Sequence, residues 1–232
     1  MIYAMADLHG EYDKYMAMLE KIGFSDGDTL YILGDVVDRG PHPVRILRDM
    51  MRRANVIPLL GNHDAMARML LRRLMVEVTQ ENCETYMDMT LMHQLLEWQM
   101  NGNRTTMAEF RALSLYDRLD VLAYLDSFRL YAQVRCGGRR FVLVHAGLGG
   151  FDPARPMESY TADELIFDRA DASRIAFGDG TLVVCGHTPT PALHGKAEIL
   201  REGDCLFIDC GAAFPGGRLA CLRLDDMAAF YI

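Results

Sequence analysis

The chain lacks several features that mark common protein classes. Its 232 residues hold no C-x-x-C pair, no repeat, no low-complexity tract and no apolar run approaching the roughly eighteen residues a membrane span requires. Six scattered cysteines (Cys83, Cys136, Cys185, Cys205, Cys210 and Cys221) in a chain too long to need stapling read as reduced thiols. Cys205 and Cys210, the one pair close enough in sequence for redox chemistry, read as buried strand residues. Nothing at the N-terminus resembles a signal peptide, so the expected compartment is the cytoplasm, with no membrane partner. Positive charge is also short. With 24 Lys and Arg against 32 Asp and Glu, the net charge of −8 argues against nucleic acid as a partner, and an anionic substrate must find local counter-charges. What remains is ordinary: 50% apolar and 24% charged residues exclude a disordered, collagen-like or coiled-coil chain. The length fits one domain over residues 1–232, carrying an insertion.

The first sixty residues predict a β-α-β-α-β unit. Ile2–Ala6, Thr29–Leu33 and Val56–Leu60 are short apolar runs. Between the first two, Tyr12, Tyr15, Met16, Leu19 and Ile22 recur at helical spacing until Gly23 and the Ser25–Asp28 cluster. Between the second and third, Pro41 and Pro43 suit a first helical turn, and Val44, Leu47, Met50 and Met51 form the apolar stripe. From about Ala65 to Asp126 the pattern is helical and methionine-rich, a cap or insertion with breaks near Gln80–Asn82 and Asn101–Asn103. Its methionines, Met66, Met69, Met75, Met87, Met89, Met92, Met100 and Met107, read as core filler. Beyond Phe128 strands return at Leu130–Arg135, Phe141–Val144, Leu182–Cys185, Cys205–Ile208, Leu219–Leu224 and Ala228–Ile232, with a short helix near Ala162–Arg169.

Five of these strands end in metal-ligand residue types beside glycine. The sequences are Asp7-Leu8-His9-Gly10, Gly34-Asp35-Val36-Val37-Asp38-Arg39-Gly40, Gly61-Asn62-His63-Asp64, His145-Ala146-Gly147 and Gly186-His187-Thr188. In an open sheet the carboxyl ends of parallel strands share one edge, so these loops should converge on a single crevice. Carboxylate, imidazole and amide oxygen together suit divalent manganese, iron or zinc, while the absence of cysteine among them disfavours a structural zinc. Any one Asp or His after a strand is usually a turn former; five such clusters together are not explained that way.

On these motifs the chain resembles the calcineurin-like metallophosphoesterases, of the type shared by phosphoprotein phosphatases and symmetrical diadenosine tetraphosphatases. The likeness is densest over residues 1–64 and 141–224, and in the cap it is concentrated around Trp98–Thr106. The resemblance implies an α/β fold, a layered β-sandwich flanked by helices. It also implies two divalent ions, manganese first, with iron or zinc as alternatives. Asp7 and His9 would hold the first ion, Asp35 would bridge both, and Asn62, His145 and His187 would hold the second. Arg39 and Arg169 would bind phosphate together with Asn62. Pro189 stands where much of the superfamily has a second histidine, as in the phosphoprotein phosphatase branch, which leaves the first ion less fully ligated.

Two nearby cations would hold hydroxide at neutral pH for in-line attack on phosphorus. The leaving alkoxide needs a proton, and His63 beside Asn62, with Asp38 favouring its imidazolium form, is the expected acid. Arg39 offers planar bidentate hydrogen bonds to the phosphoryl oxygens. Asp64 is expected to orient neighbours rather than bind an ion. Arg68, Arg72 and Arg73 read as a solvated helix face, and His42, His93 and His194 as structural or solvated.

The leading expectation is a phosphatase acting on phosphorylated proteins, at serine and threonine and also tyrosine, or on a small phosphate ester. The second aspartate of G-D-x-x-D-R-G, Asp38, favours it, since diadenosine tetraphosphatases commonly lack that residue. Asp64 points the other way, because protein phosphatases more often carry Glu there. The second expectation is therefore hydrolysis of dinucleoside polyphosphates. A non-catalytic phospho-binding scaffold is the third, disfavoured because every expected ligand is present.

Overall fold

Strand residues here alternate between two cores, which is why the apolar runs are nearly continuous. Ala4, Phe141, Leu143, Leu182, Val184, Leu206 and Leu222 pack in one buried cluster. Their sequence neighbours Tyr3, Met5, Val142, Val144, Val183, Cys185, Phe207 and Cys221 belong to a second cluster, shared with the helices. The first cluster joins the inner faces of two sheets, and the second covers their outer faces.

The computed structural model describes residues 1–77, 79–81 and 88–232. Asn82, Cys83 and Met87, read above as a chain break, a reduced thiol and core filler, lie outside the described residues. One five-stranded sheet has the order β10-β9-β1-β2-β3 and the other β4-β5-β6-β8-β7. In the first, β1 (Ile2–Met5), β2 (Thr29–Ile32) and β3 (Val56–Pro58) are parallel, and β9 (Ala220–Arg223) and β10 (Ala228–Tyr231) extend it antiparallel. In the second, β5 (Arg139–Val144), β6 (Thr181–Cys185) and β8 (Cys205–Phe207) are parallel, flanked antiparallel by β4 (Tyr131–Cys136) and β7 (Leu200–Glu202). The single shared edge expected above is thus two edges, one from each sheet of the sandwich.

Helices α1 (Tyr12–Lys21) and α2 (Pro43–Met50) follow the apolar stripes, and Pro43 sits in the first turn of α2. Four more described helices are α3 (Asn62–Arg73), α4 (Met89–Met100), α5 (Arg104–Ala112) and α6 (Leu115–Asp126). Asp88 caps α4 by accepting from Leu91 N at 2.7 Å, and Ser114 caps α6. Helix α7 (Ala162–Ile166) stops three residues short of the expected Arg169. Helix α8 (Thr190–His194) and strand β7 have patterns too short to be legible in the sequence.

The methionines are not simple core filler. Met69, Met89, Met92 and Met100 are exposed, and α4 buries only Leu91 and Trp98. The five described cysteines are free, with Cys185, Cys205, Cys210 and Cys221 buried. Among the described residues no helix is long and apolar enough to cross a membrane.

Candidate active site

The loops leaving β1, β2 and β6 turn sharply at the point where their polar residues begin. Asp7, His9, Asp35, Asp38, Arg39 and His187 all have φ between 40° and 70°, and among the other described non-glycine residues Met227 alone shares this. A side chain held there costs roughly 1–3 kcal/mol, so the strain is concentrated where the loops meet. Glycine is required where loops from different strands touch. A Cβ on Gly34 would lie 2.5 Å from Gly61 N and 2.8 Å from His145 Nδ1, and one on Gly186 would lie 2.1 Å from Asp7 Oδ2.

The loops bring together two groups of ligand atoms, each within 4.8 Å: His9, Asp35 and His63, and Asp35, His145 and His187. Asp35 is common to both. Asn62 Oδ1 joins the second group, 3.0 Å from His145 Nε2 and 3.0 Å from His187 Nδ1. Asp7 is not within the first group; its carboxylate accepts from His187 N at 3.0 Å and lies in the field of Asp35 and Asp209. His63 stands in the first group in its place.

This donor set fits divalent cations. His145 Nδ1 donates to Leu33 O at 2.7 Å and His9 Nδ1 to Val37 O at 2.9 Å, which fixes the neutral tautomer with a bare Nε2 facing the cluster. His145 Nε2 then faces Asn62 Oδ1 and Asp35 Oδ1 with no proton between them. Converging lone pairs need a shared cation.

The electrostatics agree. Burial pushes the His9 imidazolium down to about 3 and that of His187 to about 4, and it lowers His145 also, so all three are neutral imidazoles able to act as ligands. Burial opposes ionisation of Asp35, yet the positive charge of His63 and the bond from its backbone N–H hold the Asp35 carboxyl below the ordinary range. Burial and the neighbouring Asp209 and Asp35 push Asp7 well above it, and burial lifts Asp209 to about 6. Buried carboxylates this close to one another lack matching positive charge.

His63 is different. Burial opposes its charge, but the Nδ1 contact with Asp38 Oδ2 at 2.8 Å and the charge of Asp35 outweigh burial, and its imidazolium is raised above the ordinary range. Asp38 in turn is held from α4 and α5. Trp98 Nε1 donates to Asp38 Oδ2 at 2.8 Å, Thr106 Oγ1 donates to Asp38 Oδ1 at 2.7 Å, and Thr106 Oγ1 accepts from Asp38 N at 2.9 Å. Both side chains are fully buried, and Gly102 O accepts from Arg39 N at 2.9 Å. Sequence reasoning singled out Trp98–Thr106 only as a stretch of resemblance; a lone tryptophan three residues before Asn-Gly-Asn was the available signal.

Asp64 accepts from the backbone nitrogens of Asp35, Val36, Val37 and Gly61, and so shapes the Asp35 loop without facing the ligand atoms. Arg39 Nη1 and Nη2 lie 2.6 Å from His9 Nε2 and 3.0 Å from His63 Nε2, and the guanidinium sits over the Phe214 ring. Arg169 is exposed on the loop after α7, with its charge felt at His187. Arg68 and Arg72 pair with Asp126 of α6, and His42 with Glu109 of α5, so these are structural contacts.

The strand ends of a two-sheet sandwich thus bring histidine, carboxylate and amide donors together beside a guanidinium. Residues 1–211 match the calcineurin-like phosphoesterase family, and the chain belongs to it. The chain is 29% identical over 167 residues to a symmetrical bis(5'-nucleosyl)-tetraphosphatase of Acidovorax ebreus, a match spanning 71% of this chain and 47% of that protein. The chain thus spans about half the length of that relative. It is 26% identical over 251 residues to the asymmetrical bis(5'-nucleosyl)-tetraphosphatase PrpE of Halalkalibacterium halodurans, covering 96% of this chain and 89% of that one. The crystal structure of a putative diadenosine tetraphosphatase superposes with a TM-score of 0.68 at 19% identity, over 100% of this chain and 92% of that chain. At that identity the likeness speaks to fold alone.

Proposed function

We propose that the protein is a phosphomonoesterase acting on phosphoproteins, with serine and threonine phosphates as its main substrates and tyrosine phosphate as a further one. The observation that carries this reading is the 2.8 Å contact of His63 Nδ1 with Asp38 Oδ2. A serine or threonine alkoxide is a poor leaving group and needs a strong, well-placed acid, whereas a nucleotide phosphate leaves without one. His63, raised toward its charged form, is suited to hand its Nε2 proton to such an alkoxide.

Asp35, His9, Asn62, His145 and His187 would hold the ions, with Asp7 completing the first site and His63 left free to act as the acid, and manganese is the first choice. Bound divalent ions supply Lewis acidity toward the phosphoryl oxygens and make a nucleophile available at neutral pH. Arg39 and Arg169 supply counter-charge to the phosphate, and Asn62 orients it. Asp38 keeps His63 in register. Free, buried thiols are compatible with a reducing, cytoplasmic compartment.

Hydrolysis of dinucleoside polyphosphates is the second reading, supported by the relatives' names, above all the one matched along 96% of this chain. Asp64 does not add to it, since its carboxylate is consumed by backbone donors away from the ligand atoms. The test is kcat/KM of the manganese-loaded protein on a phosphoserine peptide and on diadenosine tetraphosphate, with chelator controls. Preference for the peptide supports the first reading. Preference for the dinucleotide replaces it with the second.

A further inference from the structure

Beside the phosphate clamp lies a cavity that none of the chemistry above uses. Its volume is about 460 Å³, within the roughly 300–1,000 Å³ of ligand clefts, and its walls include Pro189, Pro191, Ala192, Gly211, Phe214 and Pro215. No charged side chain lines it. One end begins at Pro189, two residues beyond His187; the walls follow α8, about 7 Å of helix, to Ala197. The Phe214 ring is 44% exposed, large for an aromatic beside a buried site, and its centroid lies 5.1 Å from the Arg39 guanidinium carbon. The cavity is therefore continuous with the site through one aromatic ring.

The wall carrying Phe214 is built rather than adaptable. Phe214 N donates to Gly211 O at 2.9 Å, Gly217 N to Phe214 O at 2.9 Å and Arg218 N to Cys210 O at 3.0 Å. Lys14 Nζ donates to Ala212 O from α1. A Cβ on Gly217 would stand 1.8 Å from Gly211 O, so only glycine lets the loop close on itself.

We propose that this cavity binds an apolar side chain of the phosphopeptide substrate, two positions from the phosphoresidue, and so sets which sites are dephosphorylated. The inference rests on the phosphoprotein reading above. In an extended peptide, alternate side chains face the same way, so the residue two positions from a phosphoresidue held at Arg39 is directed to the side on which the cavity opens past Phe214. The uncharged walls select against the alternative occupant. A dinucleoside polyphosphate would carry further phosphates between the scissile phosphorus and its second base, and beyond Arg39 no cationic side chain among the described residues lines the cavity. A neutral peptide backbone needs none.

The test uses phosphoserine peptides differing only in the residue two positions away on either side, leucine or phenylalanine against serine. Manganese-loaded wild-type protein is compared with Ala192→Trp, which fills the cavity from an exposed helix position, and with Phe214→Ala. The wild-type protein should prefer the apolar peptide by roughly tenfold or more in kcat/KM, mainly through KM. In both variants the ratio between the two peptides should fall toward one. Equal rates on the two peptides with wild-type protein would overturn the cavity's role while leaving the phosphoprotein reading intact. Turnover of diadenosine tetraphosphate with none of either peptide would overturn both.

Discussion

Trp98 donates the single N–H of its indole to the same Asp38 oxygen that His63 contacts, at 2.8 Å in each case. The helices of the cap therefore reach the centre of the site through a carboxylate, with Thr106 on the other oxygen. Asp38 and Arg39, both in the left-handed region, are clamped by residues of the α4–α5 turn.

Removing one of these donors should act on turnover rather than binding. A hydrogen bond to a charged group contributes roughly 1.5–3 kcal/mol, so Trp98→Phe and Thr106→Val should each lower kcat by about ten- to a hundredfold with KM little changed. Steady-state kinetics on a phosphoserine peptide, beside a thermal melt showing the folded state, measures this. A proportional change in KM alone would show that the pair shapes the binding surface instead.

His63→Ala should lower kcat on alkyl phosphates by roughly a hundred- to ten-thousandfold, the usual span of general acid catalysis. The Asp35, His145, His187 and Asn62 donors are untouched, so at least one ion per chain should remain by elemental analysis. Unchanged activity would remove His63 from the chemistry.

Cations should stabilise the fold, because they neutralise the buried carboxylates Asp7, Asp35 and Asp209. Manganese at a hundred times its dissociation constant should add about 2.7 kcal/mol, or about 5–10 °C in Tm for a chain of this size. Asp35→Asn, which removes the group common to both clusters, should abolish that shift and the activity together. Full activity in this variant would contradict a two-ion site.

A pH effect is expected away from the site. Glu164, in the first turn of α7, is lowered to about 2 by its bond to Arg155 and by the Thr161 N–H. A carboxyl depressed in the folded state stabilises it above the ordinary value of 4.5, and that contribution is lost as pH falls from there toward about 2. Glu164→Gln should therefore lower Tm at pH 7, and the difference from wild type should shrink steadily below pH 4.5 and be mostly gone near pH 2. A difference independent of pH would mean the group acts by packing alone.

The candidate ligands Asp7, His9, Asp35, Asn62, His145 and His187 were legible because each sits one to four residues after a short apolar strand, near a glycine that lets loops touch. Asp35 and His187 could be picked out this way without knowing which sheet held them. The sandwich itself was less visible: β2 and β6 read alike, and only the partition of Leu182 and Val183 between two cores separates sheet faces. Trp98 and Thr106 were not assignable. Their partner Asp38 is sixty residues or more away, and neither local periodicity nor motif spacing reports a contact across that distance. Helix α8 escaped because five residues cannot show a helical period.

The central claim is that the Asp38–His63 pair protonates a poor leaving group, and the dependence of rate on that group tests it most directly. For a series of phosphomonoesters from nitrophenyl to alkyl, log kcat/KM of the manganese-loaded protein should fall only shallowly as leaving-group pKa rises. His63→Ala should steepen the slope, losing most on alkyl esters and least on nitrophenyl phosphate. Parallel slopes for the two proteins would contradict the account, because a missing acid cannot penalise good and poor leaving groups alike.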